Sequence, residues 1–183
     1  MSVSNTMRLT DSFTTALDMA REYKDEVGIV GYGIAELFGE DNKSKLIVPF
    51  ANLVTDFGDL FYANRGALVA TTALTGMQAG SGVTAVSKAG AGSAMVTLLA
   101  GQAFDGTFPS ITNLGTTLGV QIVYKTTYAA GVATGTVAEA TITNGTIGVA
   151  SVAGNTIARI QFAGIVKAAG DSLAITWNHK FLG

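Results

Sequence analysis

The sequence predicts a mainly β protein, a β-sandwich or jelly roll that carries an N-terminal arm and one or two short helices. In the last third of the chain, Thr, Val, Ile, Tyr and Trp alternate with small or polar residues, which is the period-two pattern of strands buried on one face. Turn residues separate these runs, and the helical patterns gather in the first part of the chain. The four clearest strands are residues 118–128, 136–143, 156–161 and 172–177.

A hairpin is predicted near the beginning of the sheet. Residues 27–38 and 45–50 have strand composition, and the charged turn 39–44 joins them. Pro49 indicates an edge position, because proline has no N–H to donate to a neighbouring strand.

Two helices are predicted, and their apolar faces are candidate attachment surfaces. The first covers residues 12–26 after a cap at Thr10 or Asp11, and the second covers residues 52–66 with Thr55 as its N-cap. The first helix is apolar on one side and therefore needs a partner surface, whereas the apolar face of the second is expected to lie across the sheet. The residues that we assign to interface or attachment are Phe13, Leu17, Tyr23, Phe57 and Phe61. Residues 1–27 are accordingly interpreted as an arm and attachment helix, and residues 28–183 as a single β-sandwich domain.

The glycine-rich middle of the chain gives weaker patterns. Residues 67–75 and 83–88 resemble strands, residues 76–82 are predicted to be a glycine loop, and residues 93–99 a helical turn. The Asn144-Gly145 pair has the residues that a type I′ hairpin turn requires.

Charge is distributed unevenly along the chain. Only 13% of the residues are charged, about half of the roughly 25% that is typical of soluble domains. Residues 1–65 hold 16 charged side chains, whereas residues 66–183 hold eight, three acidic and five basic. So little charge predicts that other subunits cover much of the second part, and we expect a dimer or trimer.

Composition argues against several classes of function. The chain has no cysteine and one histidine, His179, so it lacks the usual zinc ligand sets, and we predict neither a metal nor another cofactor. A net charge of −2 without a cluster of Lys or Arg argues against nucleic acid. No apolar run reaches 18 residues, and a membrane partner is therefore not predicted.

Two short motifs match enzyme signatures by their letters alone. Gly170-Asp171-Ser172-Leu173 spells the block of the GDSL hydrolases, but that family carries the block near the N-terminus with a distant Asp-x-x-His partner, whereas His179 follows Ser172 after seven residues. Gly80-Ser81-Gly82-Val83-Thr84-Ala85 matches the dinucleotide pattern, but strand-like residues follow it instead of a helix. We interpret the first motif as a turn and the second as a surface loop, and we predict that the protein is not an enzyme.

Glu139 and Arg159 are each the only charged residue in an otherwise neutral predicted strand. If the strands pair, these side chains can form a structural ion pair that fixes the register; the alternative is two independent charges at the rim. On the first interpretation, Glu139→Lys should damage folding or assembly, and adding Arg159→Glu should rescue it.

The order of parts from residue 33 to the end is informative in itself. The chain shows a strand ending Ala35-Glu36-Leu37-Phe38, a charged turn, Asn52-Leu53-Val54-Thr55-Asp56-Phe57-Gly58-Asp59, a glycine-rich middle, Ala138-Glu139-Ala140-Thr141-Ile142, Ala158-Arg159 and a closing Gly170-Asp171-Ser172-Leu173-Ala174-Ile175-Thr176-Trp177. This order resembles small virion proteins of tailed bacteriophages, which are described as head decoration, tail or fibre components. Residues 1–27 lie outside the resemblance.

The resemblance implies a structural protein of the virion, made in the cytoplasm of the host bacterium, that acts without catalysis. It implies self-association and binding to the major capsid protein or another virion protein. The leading hypothesis is a capsid decoration, or cement, protein. The alternatives are a tail, neck or fibre-base component and, from a different class, a carbohydrate-binding module or hydrolase on the same sandwich. A glycan array and an esterase assay with Ser172→Ala test the last alternative.

Overall fold

The computed structural model describes residues 11–12, 14–15, 29–115 and 119–181. The four described residues before β1 are helical and fall at the start of the predicted first helix. The rest of the described chain forms nine strands, one α-helix and two short 3-10 helices, Gly90–Ser93 and Ala153–Asn155. The strands and the helix are β1 (Ile29–Phe38), β2 (Ser44–Val54), α1 (Asp56–Gly66), β3 (Gly76–Gly80), β4 (Leu98–Gln102), β5 (Ser110–Asn113), β6 (Val120–Tyr128), β7 (Gly135–Thr143), β8 (Thr156–Lys167) and β9 (Ser172–Phe181).

The strands form one curled antiparallel sheet in the order β4-β3-β7-β8-β2-β1-β9-β6-β5. The curl gives two halves, β4-β3-β7-β8 and β2-β1-β9-β6-β5, in a sandwich-like arrangement. This topology confirms the predicted mainly β class. All four strands predicted in the last third are present, and so is the early hairpin.

The core is organised by rows of side chains that cross the second half of the sheet. In one row, Phe50 on β2 lies opposite Gly33, Gly33 lies opposite Trp177, and Trp177 lies opposite Tyr124. A Cβ on Gly33 would lie 2.6 Å from the Phe50 ring, so the absent side chain makes room for that ring. Phe50 then meets Trp177 edge to face, with ring centroids 5.2 Å apart.

Helix α1 docks on β8 through its N-cap. The Gly58 N–H donates to Thr55 Oγ1 over 2.9 Å, and the Thr55 N–H donates to the carbonyl of Ile157 over 3.0 Å. Thr55 is the predicted cap, but the helix begins at Asp56 rather than at residue 52, because residues 52–54 complete β2.

The glycine-rich middle differs from the prediction. Residues 67–75 and 81–87 have no regular structure, whereas the predicted glycine loop contains the fully buried strand β3. Strand β4 occupies part of the predicted helical turn. Residues 144–155 connect β7 to β8 as a loop instead of the two-residue turn expected at Asn144-Gly145, and Gln78 Nε2 donates to two of its carbonyls. Glycine and alanine carry no polar-apolar alternation, so the buried β3 left no periodic signal.

Candidate functional site

The candidate site is the seam between β2 and β8, where the two halves of the sheet meet. Only two residue pairs join these strands, Leu53 with Arg159 and Val54 with Ala158. Before Leu53 the strands diverge and leave a cleft of about 570 Å³. Pro49 lies in the part of β2 that pairs with β1 alone, which agrees with its predicted edge position.

The cleft is lined mainly by apolar side chains from both strands. Phe50 and Phe162 line it with stacked rings whose centroids are 6.2 Å apart, and Val86 contributes from the segment before β4. Asn52 also lines the cleft; its Oδ1 accepts a hydrogen bond from Trp177 Nε1 over 2.6 Å. Its Nδ2 is buried without a partner among the described residues. Arg159 is the charged residue of the lining.

Arg159 is held by the ion pair that the sequence suggested. Its Nη2 and Nε donate to Glu139 Oε2 over 2.8 and 3.1 Å, and both side chains are fully buried. The two residues are not directly opposite, because Glu139 lies opposite Gln161 and Arg159 lies opposite Thr141. The contact is therefore diagonal across neighbouring strands.

The ion pair also binds the backbone of the segment between β3 and β4. Glu139 Oε1 accepts hydrogen bonds from the N–H groups of Gly82, Val96 and Thr97, over 2.8 to 3.2 Å. Arg159 Nη1 donates to the carbonyls of Thr84 and Gly92. The pair thus fixes the segment that supplies Ala85 and Val86 to the cleft wall.

The glycines that matched a dinucleotide motif serve this internal carboxylate. A Cβ on Gly82 would lie 2.2 Å from Glu139 Oε1, so only glycine fits there. Gly80 lies within β3, and residues 81–87 have no regular structure, so the helix that the dinucleotide motif needs is absent from this described stretch. Sequence reasoning missed the contact because the two segments are 57 residues apart.

A second buried polar cluster joins α1 to the sheet. Tyr62 Oη lies 2.6 Å from His179 Nδ1 and 2.8 Å from Tyr124 Oη. Loss of hydration on burial lowers the pKa of His179 to about 3 and raises the pKa of Tyr124 to about 12. Burial, with the neighbouring Tyr124, raises the pKa of Tyr62 well above its usual value. All three side chains are therefore neutral near pH 7.

Ser172 and His179 do not come together as a nucleophile and its base. Both lie on β9, seven residues apart, which corresponds to about 23 Å along an extended strand. Asp171 accepts hydrogen bonds from Lys45 Nζ over 2.6 Å and from the Ala168 N–H over 3.1 Å. These contacts close the turn into β9, as the sequence interpretation had it.

The predicted attachment residues have different outcomes. Phe61 is only 6% exposed and packs in the chain's own core, so its assignment to an attachment surface is wrong. Phe57 is partly buried and packs against the same core. Both side chains therefore contact this chain's own core. Phe13, Leu17 and Tyr23 lie outside the described residues.

Most of the charged residues beyond Arg65 are buried. All eight lie in the described chain. The five that are buried are Glu139, Arg159, Lys167, Asp171 and Lys180. The other three, Lys88, Asp105 and Lys125, are partly buried.

Large apolar side chains are exposed over the same part of the molecule. Leu68 is 95% exposed, and Val83, Ile111 and Val166 are each at least 70% exposed. The surface beyond Arg65 is therefore both apolar and poor in charge. Such a surface is typical of sites that bind other proteins.

Comparison with known proteins gives no match to any family model, curated protein or solved structure. In the part of the chain that the structure describes, His, Asp and Glu do not gather into a group that could hold a metal ion. Within the same residues, none of the helical segments is both long and apolar enough to span a bilayer.

Proposed function

We propose that this chain is a structural protein of a bacteriophage virion, and specifically a capsid decoration protein. In this role it binds the major capsid protein or another virion protein, associates with copies of itself as a dimer or trimer, and stabilises the shell without catalysis. The sequence resemblance suggests the virion, and the character of the surface supports assembly.

The observation that carries the proposal is the burial of charge beyond Arg65. The eight charged side chains in this part are buried or partly buried, whereas Leu68, Val83, Ile111 and Val166 face outward. A free monomer needs surface charge to remain soluble, and an uncharged apolar surface favours association. A subunit in a lattice does not need this surface charge, because its neighbours cover the apolar surface.

The buried seam contacts suit a protein that bears load as a rigid body. The Glu139–Arg159 pair ties strands β7 and β8 to the segment between β3 and β4 through five backbone hydrogen-bonding groups. A buried hydrogen-bond network of this kind stiffens the fold around it. A rigid, close-packed subunit can transmit strain between its lattice neighbours while its own core stays packed.

Binding to isolated shells tests the proposal. The purified protein is mixed with shells from which it has been stripped, and bound protein is counted after sedimentation. We expect saturable binding at a copy number on the order of hundreds per shell, as repeated lattice sites require. Binding of about a dozen copies or fewer would indicate the tail, neck or fibre base instead. No binding to shells or tails at saturating concentration would contradict a virion role.

A further inference from the structure

We propose that β5 pairs antiparallel with β5 of a second copy of this chain, about a two-fold axis that passes beside Thr112. The sheets of the two copies then continue into one another. This inference rests on the self-association in the proposed function, and it names the strand and the register that carry it. A two-fold pairing closes on itself, so it gives a dimer rather than a trimer.

Strand β5 is the exposed end of the sheet. The strand order places β4 at one end and β5 at the other. All five residues of β4 are partly buried, whereas three of the four residues of β5 are exposed, and Ile111 is 74% exposed. The described chain therefore leaves the outer edge of β5 open to another strand.

The outer edge of β5 presents the backbone groups of Ile111 and Asn113. The Leu114 N–H donates to the carbonyl of Gly119 over 2.9 Å, on the side of β6. Backbone groups alternate in direction along a strand, so those of Thr112 also point toward β6, and those of Ile111 and Asn113 point away from it. Among the described residues, the groups that point away have no backbone partner in the surrounding turns and loops. They are a template for an added strand.

This edge lacks the features that usually keep two strands apart. Native edges are commonly protected by charged side chains, proline or a bulge. Residues 106–124 hold no charged side chain, and the four residue pairs of β5 with β6 run without a bulge. Pro49 protects the free stretch of β2, whereas Pro109 comes before β5 and outside the proposed pairing.

A second copy is the partner that matches both the backbone and the charge of this edge. In the antiparallel register about Thr112, Ile111 lies opposite Asn113 of the second copy, and each such pair exchanges both of its N–H···O bonds. The free groups of β5 are thus satisfied by the same groups of an identical strand. A charged edge would repel its own copy, whereas this neutral edge does not.

The same register pairs the side chains favourably. Thr112 lies opposite Thr112 of the second copy, and threonines in this position hydrogen-bond across the strands. The two Ile111 side chains lie diagonally on the other face, within reach of each other. Pairing therefore removes from water an apolar side chain that is 74% exposed.

A disulfide at residue 112 tests the register, because the chain has no native cysteine. Thr112→Cys places two thiols in a non-hydrogen-bonded pair whose Cα atoms are about 4.5 Å apart, which a disulfide can span. With oxidised glutathione, we expect most of the protein to become a disulfide-linked dimer. The control is Ile111→Cys, whose Cα atoms would lie about 7–8 Å apart in the dimer, beyond the usual reach of a disulfide. It should give at least several-fold less dimer, and equal yields would overturn the register.

A proline substitution tests the outward hydrogen bonds. Asn113→Pro removes an N–H that points away from β6, so it preserves the β5–β6 ladder and should lower the dimer fraction several-fold. Asn113→Ala is the matched control, since both variants lose the hydrogen bond from the Gly115 N–H to Asn113 Oδ1. The alanine variant should keep the wild-type dimer fraction. A dimer that tolerates the proline as well as the alanine would overturn the pairing.

The remaining outcomes separate this inference from the proposed function. Oligomers that form without a crosslink at residue 112 would overturn the pairing and leave self-association intact. A monomer that binds shells less well with Asn113→Pro than with Asn113→Ala would overturn the second copy and show that β5 pairs with another virion protein. A monomer that binds shells equally well in both variants would overturn pairing and self-association, but not the virion role.

Discussion

Residues 29–65 and residues 66–181 hold the same number of charged side chains but place them in opposite ways. Residues 29–65 carry eight charged side chains, of which six are exposed and none is buried. Residues 66–181 also carry eight, of which five are buried and none is exposed. In the first region charge faces water, as in an ordinary soluble domain. In the second region the charged side chains lie mostly inside the fold, and the surface consists mainly of apolar and neutral side chains.

Three of the buried charges of the second region, Glu139, Arg159 and Lys167, are held by several hydrogen bonds each. Glu139 and Arg159 bind each other and five backbone groups, which offsets the loss of hydration. Lys167 Nζ likewise donates to the carbonyls of Ala129 and Asp171. Burial without such partners would cost roughly several kcal/mol per ion.

The largest difference between the regions should appear when one cation is removed from each. Arg159→Met leaves the Glu139 carboxylate buried without its counterion and should lower the free energy of unfolding by about 3–5 kcal/mol. Lys43→Met removes a surface ion pair with Asp41, in which the two side chains are 83% and 59% exposed. This variant should leave the free energy of unfolding without a measurable change. Urea unfolding of both variants measures the contrast, and equal midpoints would contradict it.

Exchange of the two buried charges should fail to restore stability. In Glu139→Lys/Arg159→Glu, an ammonium group would face the N–H donors of Gly82, Val96 and Thr97, and a carboxylate would face two carbonyl oxygens. This expectation replaces the rescue that the sequence alone suggested. Unfolding of the double variant beside each single variant tests it, and recovery to the wild-type midpoint would show that the backbone contacts matter little.

The buried His179 should make stability depend on pH. Its folded pKa is lowered to about 3 from an ordinary value of 6.5, because burial disfavours the imidazolium. Between these values the unfolded chain binds a proton that the folded chain does not, so stability is full above pH 6.5 and falls as the pH decreases toward 3. The loss is about 1.4 kcal/mol per pH unit for one proton.

A variant that cannot titrate separates this effect from the carboxylates. Urea midpoints are measured from pH 7 to pH 4 for the wild type and for His179→Gln. His179→Gln should be less stable than the wild type at pH 7, but its urea midpoint should decrease less steeply as the pH is lowered. Parallel curves would mean that His179 takes up its proton equally in both states.

The smallest effect should come from adding charge to the two surfaces. Ile111→Glu places a charge on the uncharged second region, where the side chain is 74% exposed, and should weaken self-association roughly tenfold, or ~1.4 kcal/mol. Leu60→Glu makes the same change on the first region, where the side chain is 55% exposed, and should leave association unchanged. Sedimentation at several concentrations compares them, and equal weakening would remove the distinction between the regions.

Local patterns predicted those parts of the fold that local chemistry decides. The alternation of β6 to β9 and the cap at Thr55 depend on neighbouring residues, and both were correct. Strand β3 was missed because its glycine and alanine residues fit a loop equally well. Phe61 was assigned to the wrong surface, since an apolar helix face does not reveal whether its partner is the same chain.

The candidate site was predictable only in part. Lone charges in neutral strands pointed to the Glu139–Arg159 pair, since a buried charge needs a partner. The backbone groups that complete it, and the contact between Tyr62 and His179, join segments far apart in the chain. Only the register of the folded sheet brings them together.

The central claim is that other chains cover the uncharged region beyond Arg65, and the mass of the protein in solution tests it most directly. Light scattering coupled to size-exclusion chromatography, at concentrations from low to high micromolar, should give a dimer or trimer of the 18.7 kDa chain. A soluble monomer at every concentration would contradict the claim.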